Sequence, residues 1–156
     1  MTQKLTHRKA QIIDLRTIIN LLLEDEFGQI REKLETNLDQ HYIDAFNRIE
    51  SDPNQYLMLV EIDNKPIEII ATCHLTIMPS LTFKGSTRMQ IEAVRVLKKY
   101  RGQKIGKWMM NAAILYGKSK GVSIFQLTTN KNRLGAKQFY EQIGFEATHI
   151  GMKKYV

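Results

Sequence analysis

The stretch VLKKYRGQKIGKWMM, from Val96 to Met110, carries two glycines and five cations: Lys98, Lys99, Arg101, Lys104 and Lys107. It lies where an apolar, strand-like run gives way to an amphipathic, helix-like one. The first turn of a helix has unpaired N–H groups and a partial positive charge. Glycines let such a backbone come close to a bulky anion, and nearby lysines and arginines strengthen the field. Arg101-Gly102-Gln103-Lys104-Ile105-Gly106-Lys107 has all of these parts, which makes it a candidate phosphate grip. A plain solvated connection is the competing reading of the loop alone. An exposed charge at a helix end is worth only about 0.3–1 kcal/mol, so several amides must converge on one ligand. The loop is not a Walker motif, because three residues rather than four separate its glycines and Trp108 follows Lys107. It is not a dinucleotide fingerprint either, since the G-x-G pair is missing.

The elements that must position this loop can be read from periodicity. KLTHRKA reads as a first strand, and Leu15, Ile18, Ile19, Leu22 and Leu23 predict an amphipathic helix over residues 12–24. A second helix through HYIDAFNRIE should stop at Asp52-Pro53, because the residue before proline avoids helical geometry. QYLMLVEI and PIEIIATCHLTI flank Asp63-Asn64-Lys65 and predict a hairpin. After the turn Lys84-Gly85-Ser86 comes a strand over 88–97, then a helix with Ile105, Met109, Ala112 and Tyr116 on one face. Gly121 is placed to end that helix in left-handed geometry. SIFQLTT reads as a strand, GAKQFYEQI as a helix and FEATHIGMKKYV as closing strand-like segments. The order implies an α/β (α+β) domain: a mixed, mostly antiparallel sheet of six to seven strands with helices on both faces.

Length and composition bound the function. With 156 residues, the chain is expected to be one domain, 1–156. No apolar run reaches membrane-spanning length, and the polar MTQKLTHRKA lacks the apolar centre of a secretory signal. One cysteine, Cys73, forbids an intrachain disulfide and fits a reducing compartment, so a cytoplasmic location is expected. The net charge of +7 fits a nucleic-acid binder or a protein with one small anionic ligand. No aromatic residues interleave the basic ones at stacking intervals, which argues against nucleic acid. His41, His74 and His149 have no ligand spacing with Cys73 or one another, so no metal is expected. Cys73 itself reads as a small buried hydrophobe.

The C-terminal half decides between these readings, because it resembles the GNAT superfamily of N-acetyltransferases. The family signature Arg/Gln-x-x-Gly-x-Gly/Ala is matched through Arg101 and Gly106, after the strand IEAVRVL. GAKQFYEQIGFE is similar to the family's Ala-x-x-x-Tyr-Glu-x-x-Gly-Phe segment through Ala136, Tyr140, Glu141, Gly144 and Phe145. LTIMPSLTFKGSTRMQIEAVRV looks like a subgroup that includes glucosamine-phosphate acetyltransferases. The resemblance implies a GNAT-like acyl-coenzyme A N-acyltransferase fold and acetyl-coenzyme A as co-substrate. It places the pyrophosphate on Arg101, Gly102, Gln103, Lys104, Ile105, Gly106 and Lys107, and the pantetheine arm along Val94, Arg95 and Val96. A backbone amide near Val94 or Arg95 would bind the acetyl oxygen. Lys104 stands where the family has its first motif glycine, and its amide serves unless the backbone there needs positive φ, which costs about 1–2 kcal/mol. Arg133 stands in place of a usual cofactor-binding asparagine, with Asn132 beside it; both are candidate contacts.

Acetyl transfer needs a neutral amine, whereas a lysine-like ammonium titrates near 10.4, so the site must take up a proton. Glu92, amid Met89, Ile91, Ala93 and Val94, is the candidate base if partial burial raises its pKa; a surface residue or a partner of Arg95 is the alternative. By the resemblance, Tyr140 supplies a proton or hydrogen bond to the leaving thiolate; a packed aromatic beside Phe139 is the alternative. The expected acceptor is the primary amine of a small molecule rather than a peptide, in a pocket formed by the N-terminal helices and residues 79–86. EDEFGQIREKLE could address that amine, but a solvated helix end is favoured. Lys98 and Lys99 are expected to be solvated, or to steer the cofactor. A non-catalytic acyl-coenzyme A sensor and a basic nucleic-acid-binding module are the rival functions. Monomer and homodimer are both open.

Overall fold

Along QYLMLVEI every second side chain faces the same way, and here both faces are buried. Met58, Val60 and Ile62 pack into one apolar cluster, Leu57 and Leu59 into another. A strand buried on both sides needs cover on both sides, and that requirement organises the molecule. The computed structural model describes residues 4–24, 26–32 and 34–156. In chain order these are β1 (Leu5–Lys9), a 3-10 turn (Ile12–Asp14), α1 (Leu15–Leu23), α2 (Glu26–Arg31), α3 (Gln40–Ser51), β2 (Gln55–Ile62) and β3 (Glu68–Pro79). There follow a tight turn, α4 (Thr82–Gly85), β4 (Thr87–Val96), a 3-10 turn (Lys98–Tyr100), α5 (Ile105–Ser119), β5 (Val122–Leu127) and α6 (Leu134–Gln142).

The strands form one sheet in the order β1-β2-β3-β4-β5, antiparallel throughout except for the parallel pair β4–β5. Helix α5 covers one face through Ile105, Met109, Met110, Ala112 and Ala113. Helices α1 and α3 cover part of the other, with Leu15, Ile18, Ile19 and Phe46 against Leu57 and Leu59. Each buried Leu, Ile, Met or Phe among them contributes about 1.5–3 kcal/mol, so these faces hold the sheet. The predicted boundaries follow from local chemistry. Asp39 caps α3 by accepting from His41 N at 2.8 Å, and the helix stops at Asp52, which is extended (φ −90°, ψ 116°) before Pro53. Gly121 has φ +78°, as a left-handed helix stop requires.

Among the described residues the sheet has five strands, not six to seven. The expected closing strands do not form: residues 146–156 have no strand or helix, and Ile150 and Met152 are 92% and 90% exposed. One local turn forms in the segment. Thr148 N donates to Glu146 O, and the Thr148 hydroxyl meets His149 Nδ1 at 2.7 Å. The apolar alternation is also broken by Gly151 and by Lys153-Lys154, so the segment has no continuous face to bury.

Candidate active site

The site begins as an extra residue in β4. His74 pairs with Glu92 and Thr72 with Arg95, so two steps along β3 match three along β4. Ala93 absorbs the difference with φ 51°, a left-handed bulge that turns the strand. Pairing between β4 and β5 reaches only Ile91 with Leu127. From Glu92 to Val96, β4 therefore has β3 on one side and, among the described residues, no strand on the other. That open edge is where an extended ligand could add backbone hydrogen bonds. Two carbonyls there are already engaged: Arg95 Nη1 donates to Val94 O at 2.8 Å and Arg101 Nε to Val96 O at 3.0 Å. Each carbonyl retains a second lone pair.

The strand leads into the basic loop and the start of α5. Among the described residues no side chain caps this helix. Its first-turn amides are left for solvent or a ligand, and Gly102, Gln103, Lys104 and Lys107 are exposed around them. Gly102 has φ +77° and Lys104 has φ 63° with ψ 9°. The condition that would have spared Lys104 strain is thus not met: its backbone sits where glycine is favoured. Gly106 has a packing role as well, because a Cβ there would lie 3.2 Å from Phe139 Cζ and 3.9 Å from Val96 Cγ2. Arg101 does not point its charge at the loop; Nη2 donates to Glu24 O at 3.3 Å and lies 3.9 Å from Glu24 Oε2. Glu24 also accepts from Lys98 N at 2.8 Å, which fastens the end of α1 to the loop. Lys99 is not simply solvated, since its Nζ pairs with Glu68 at 2.6 Å and Tyr100 O–H donates to the same carboxylate at 2.7 Å. Lys104 and Lys107 remain as cations facing solvent, with no ion pair among the described residues.

Tyr140, on α6, packs its ring 5.2 Å from Phe139 and 6.1 Å from Phe145. Burial pushes its phenol above the ordinary value, while the Arg95 and Arg133 cations pull the other way. The hydroxyl therefore keeps its proton at neutral pH and can donate it. Arg133 caps the start of α6 through its backbone, with its carbonyl accepting from Ala136 N and Lys137 N at 3.1 Å. Asn132 is exposed, and its N–H donates to Asn130 Oδ1 at 2.9 Å. Glu92 is exposed, so the burial expected to tune it is absent: β4 turns it away from Met89 and Ile91, which are buried under α5. The Asp25 and Lys33 parts of EDEFGQIREKLE, and the side chains of Glu26, Phe27 and Arg31, lie outside the described residues.

Sequence reading missed a polar ladder on the face shared with Glu92. Gln55, Thr76, Gln90 and Gln126 are register partners across four strands. Gln126 Nε2 donates to Gln90 Oε1 at 2.8 Å, and Gln55 Oε1 accepts from Thr76 Oγ1 at 3.1 Å and meets His74 Nε2 at 2.6 Å. Burial pushes the His74 pKa down and the Glu92 charge pulls it up, with burial the larger effect, so the imidazole is neutral at pH 7. The available signal was Arg88, Gln90 and Glu92 alternating with Met89 and Ile91, a polar face on a strand otherwise read as apolar. Among the described residues, no group of three or more His, Cys, Asp or Glu side chains could hold a metal ion.

Comparison with known proteins supports the same assignment. A model of the acetyltransferase (GNAT) family matches residues 15–145. An aminoalkylphosphonate N-acetyltransferase of Salmonella typhimurium is 25% identical, over 96% of this chain and 97% of that protein. An uncharacterized N-acetyltransferase of Methanocaldococcus jannaschii is 24% identical over 89% of this chain, which spans only 64% of that protein's length. Among solved structures, one described as a transcriptional regulator from Bacillus halodurans is 38% identical with a TM-score of 0.92, covering 98% of this chain and 100% of that one. Glucosamine-6-phosphate N-acetyltransferase from Arabidopsis thaliana is 26% identical with a TM-score of 0.77, covering 97% and 98%. The family match spans most of the chain, including the open strand edge, the basic loop and α6: the chain belongs to the GNAT acetyltransferase family.

Proposed function

We propose that this chain is an acetyl-coenzyme A-dependent N-acetyltransferase that transfers the acetyl group directly to the primary amine of a small molecule. One observation carries the reading: the bulge at Ala93 opens the β4 edge next to a helix start that no described side chain caps, and Phe139, beside Tyr140 on α6, reaches Gly106 in that first turn. A thioester with an anionic diphosphate fits that pairing of features. The amides of residues 102–107 would take the diphosphate, and residues 94–96 the amide-bearing arm. The acceptor then comes from the opposite sheet face, where Glu92 and neutral His74 lie side by side.

In this scheme the ammonium loses a proton through water to Glu92. The amine lone pair forms a bond to the thioester carbon, and a backbone amide beside the bulge stabilises the oxyanion. As the C–S bond breaks, the Tyr140 O–H gives its proton to the sulfur, and the extra proton on the new C–N nitrogen passes through water back to the tyrosine, which leaves a neutral amide and a free thiol; Glu92 returns its proton to solvent. The acceptors in the names of the Salmonella and Arabidopsis proteins are both small primary amines, which favours a small molecule over a peptide. Such an enzyme belongs in the cytoplasm, where acetyl-coenzyme A is made and Cys73 stays reduced.

The experiment is a screen of primary amines for coenzyme A release from acetyl-coenzyme A, beside calorimetric titration of the cofactor. Binding with turnover of at least one amine is the expected result. Binding with no acetylation of any amine would make the chain a sensor. Absence of cofactor binding, with affinity for duplex DNA that falls steeply with salt, would replace the reading by a regulator of the kind named for the Bacillus protein.

A further inference from the structure

Arg88 is a half-buried arginine whose charge no described side chain answers. Its Nε is shut off from solvent and has no hydrogen-bond partner. Among the described residues no carboxylate pairs with its guanidinium. Arg8 shows how the fold treats an arginine that it needs for itself: Asp14 at 2.6 Å and Glu61 at 2.7 Å hold it from two sides. Withdrawing a guanidinium atom from water without an acceptor is costly, so an unmatched one in a strand needs another explanation.

Its position supplies one. Arg88 pairs across the sheet with Met78 and Ile124, one rung beyond the Gln55–Thr76–Gln90–Gln126 ladder. Alternation puts Arg88, Gln90 and Glu92 on the same face of β4, opposite Met89 and Ile91. Arg88 and Glu92 are four residues apart, roughly 13 Å between Cα atoms at 3.3 Å per residue. The arginine side chain closes part of that distance. By the same measure, Val96 at the mouth of the basic loop lies at most roughly 26 Å from Arg88, the turn at Ala93 shortening the path somewhat. Arg88 therefore cannot share in holding a diphosphate on residues 102–107. The anion that would match it must arrive with the other substrate.

We infer that the acceptor is an amine that also carries an anionic oxygen group, bound by Arg88 while its nitrogen lies near Glu92 and its middle crosses Gln90 and Gln126. This rests on the acetyltransferase reading and narrows the acceptor class. Planar guanidinium donors suit phosphate, phosphonate and carboxylate oxygens alike, and the test separates them.

Two measurements decide it. First, kcat/KM is compared for 2-aminoethylphosphonate, 2-aminoethyl phosphate, β-alanine and ethanolamine, which has no anionic group, in the wild type, Arg88→Gln and Arg88→Lys. The wild type should prefer at least one anionic amine over ethanolamine by about 30-fold or more, mainly in KM. Arg88→Gln should lose that preference, and Arg88→Lys should keep part of it. The phosphoryl arms against the carboxylate arm identify the oxyanion. Second, methylphosphonate and acetate are titrated into the protein saturated with coenzyme A, so that the basic loop is filled. One of them should bind the wild type and not Arg88→Gln. Equal use of amines with and without an anionic group, or anion binding that ignores Arg88→Gln, would overturn this inference and leave the acetyltransferase reading standing. Failure of coenzyme A itself to bind would bring down that earlier reading instead.

Discussion

Lys104 offers a quantitative test of how the basic loop is built. Its φ of 63° places Cβ in the left-handed region, at the residue that opens α5. That conformation costs a non-glycine residue about 1–2 kcal/mol. Lys104→Gly removes the strain but adds unfolded-state entropy worth about 0.4–1 kcal/mol. The net expectation is a gain of roughly 0.5–1 kcal/mol, or about 1–4 °C in Tm for a chain of this size. Lys104→Ala is the control, because it removes the charge and keeps the strain. It should melt close to the wild type, below the glycine variant. The charge shows up in binding instead. Both variants should bind coenzyme A more weakly than the wild type by about 0.3–1 kcal/mol, with the difference shrinking at high salt. Chemical denaturation and salt-dependent calorimetry on the three proteins measure both effects. A glycine variant no more stable than the alanine variant would refute the claim that this backbone is strained. Unchanged binding in both would refute a role for the lysine charge.

Tyr140→Phe should lower kcat by about 10²–10⁴-fold while leaving coenzyme A affinity within twofold, read by steady-state kinetics and calorimetry. Gly117→Ala should destabilise by about 1–3 kcal/mol despite alanine's better helix propensity, because its Cβ would fall 2.5 Å from Phe125 Cε1; thermal melts check this. His74 has its pKa lowered by burial in the fold, so below its ordinary value of about 6.5 the unfolded chain binds the extra proton first. Stability should therefore fall as pH drops below about 6.5, down to the folded pKa, and His74→Gln should flatten that decline in urea melts at stepped pH.

What the sequence made legible was whatever is fixed by neighbours along the chain. Asp52-Pro53 ends α3 and Gly121 ends α5 through backbone rules that act within a few residues. The strand-loop-helix order around Arg101 and the aromatic pair Phe139-Tyr140 were equally local. What depends on pairing across strands was hidden. The Gln55–Thr76–Gln90–Gln126 ladder is assembled from four separate strands, and no window of sequence contains it. Glu92 has apolar neighbours in sequence, yet alternation sends it to the other face and leaves it exposed. Lys99 looked like one of five equivalent cations until the fold brought Glu68 to it. Gly106 fits the phosphate motif by position, but its lack of a side chain is used by Phe139 of α6. The final segment alternates enough to suggest a strand, but its local turn and Lys153-Lys154 leave it unpaired.

The most direct test of the site is backbone amide chemical-shift mapping as coenzyme A is titrated into isotope-labelled protein. The largest shifts are expected at the amides of residues 102–107, with a second group at 94–96 along the open β4 edge. Shifts confined to other surfaces, or a spectrum that does not change at saturating ligand, would contradict it.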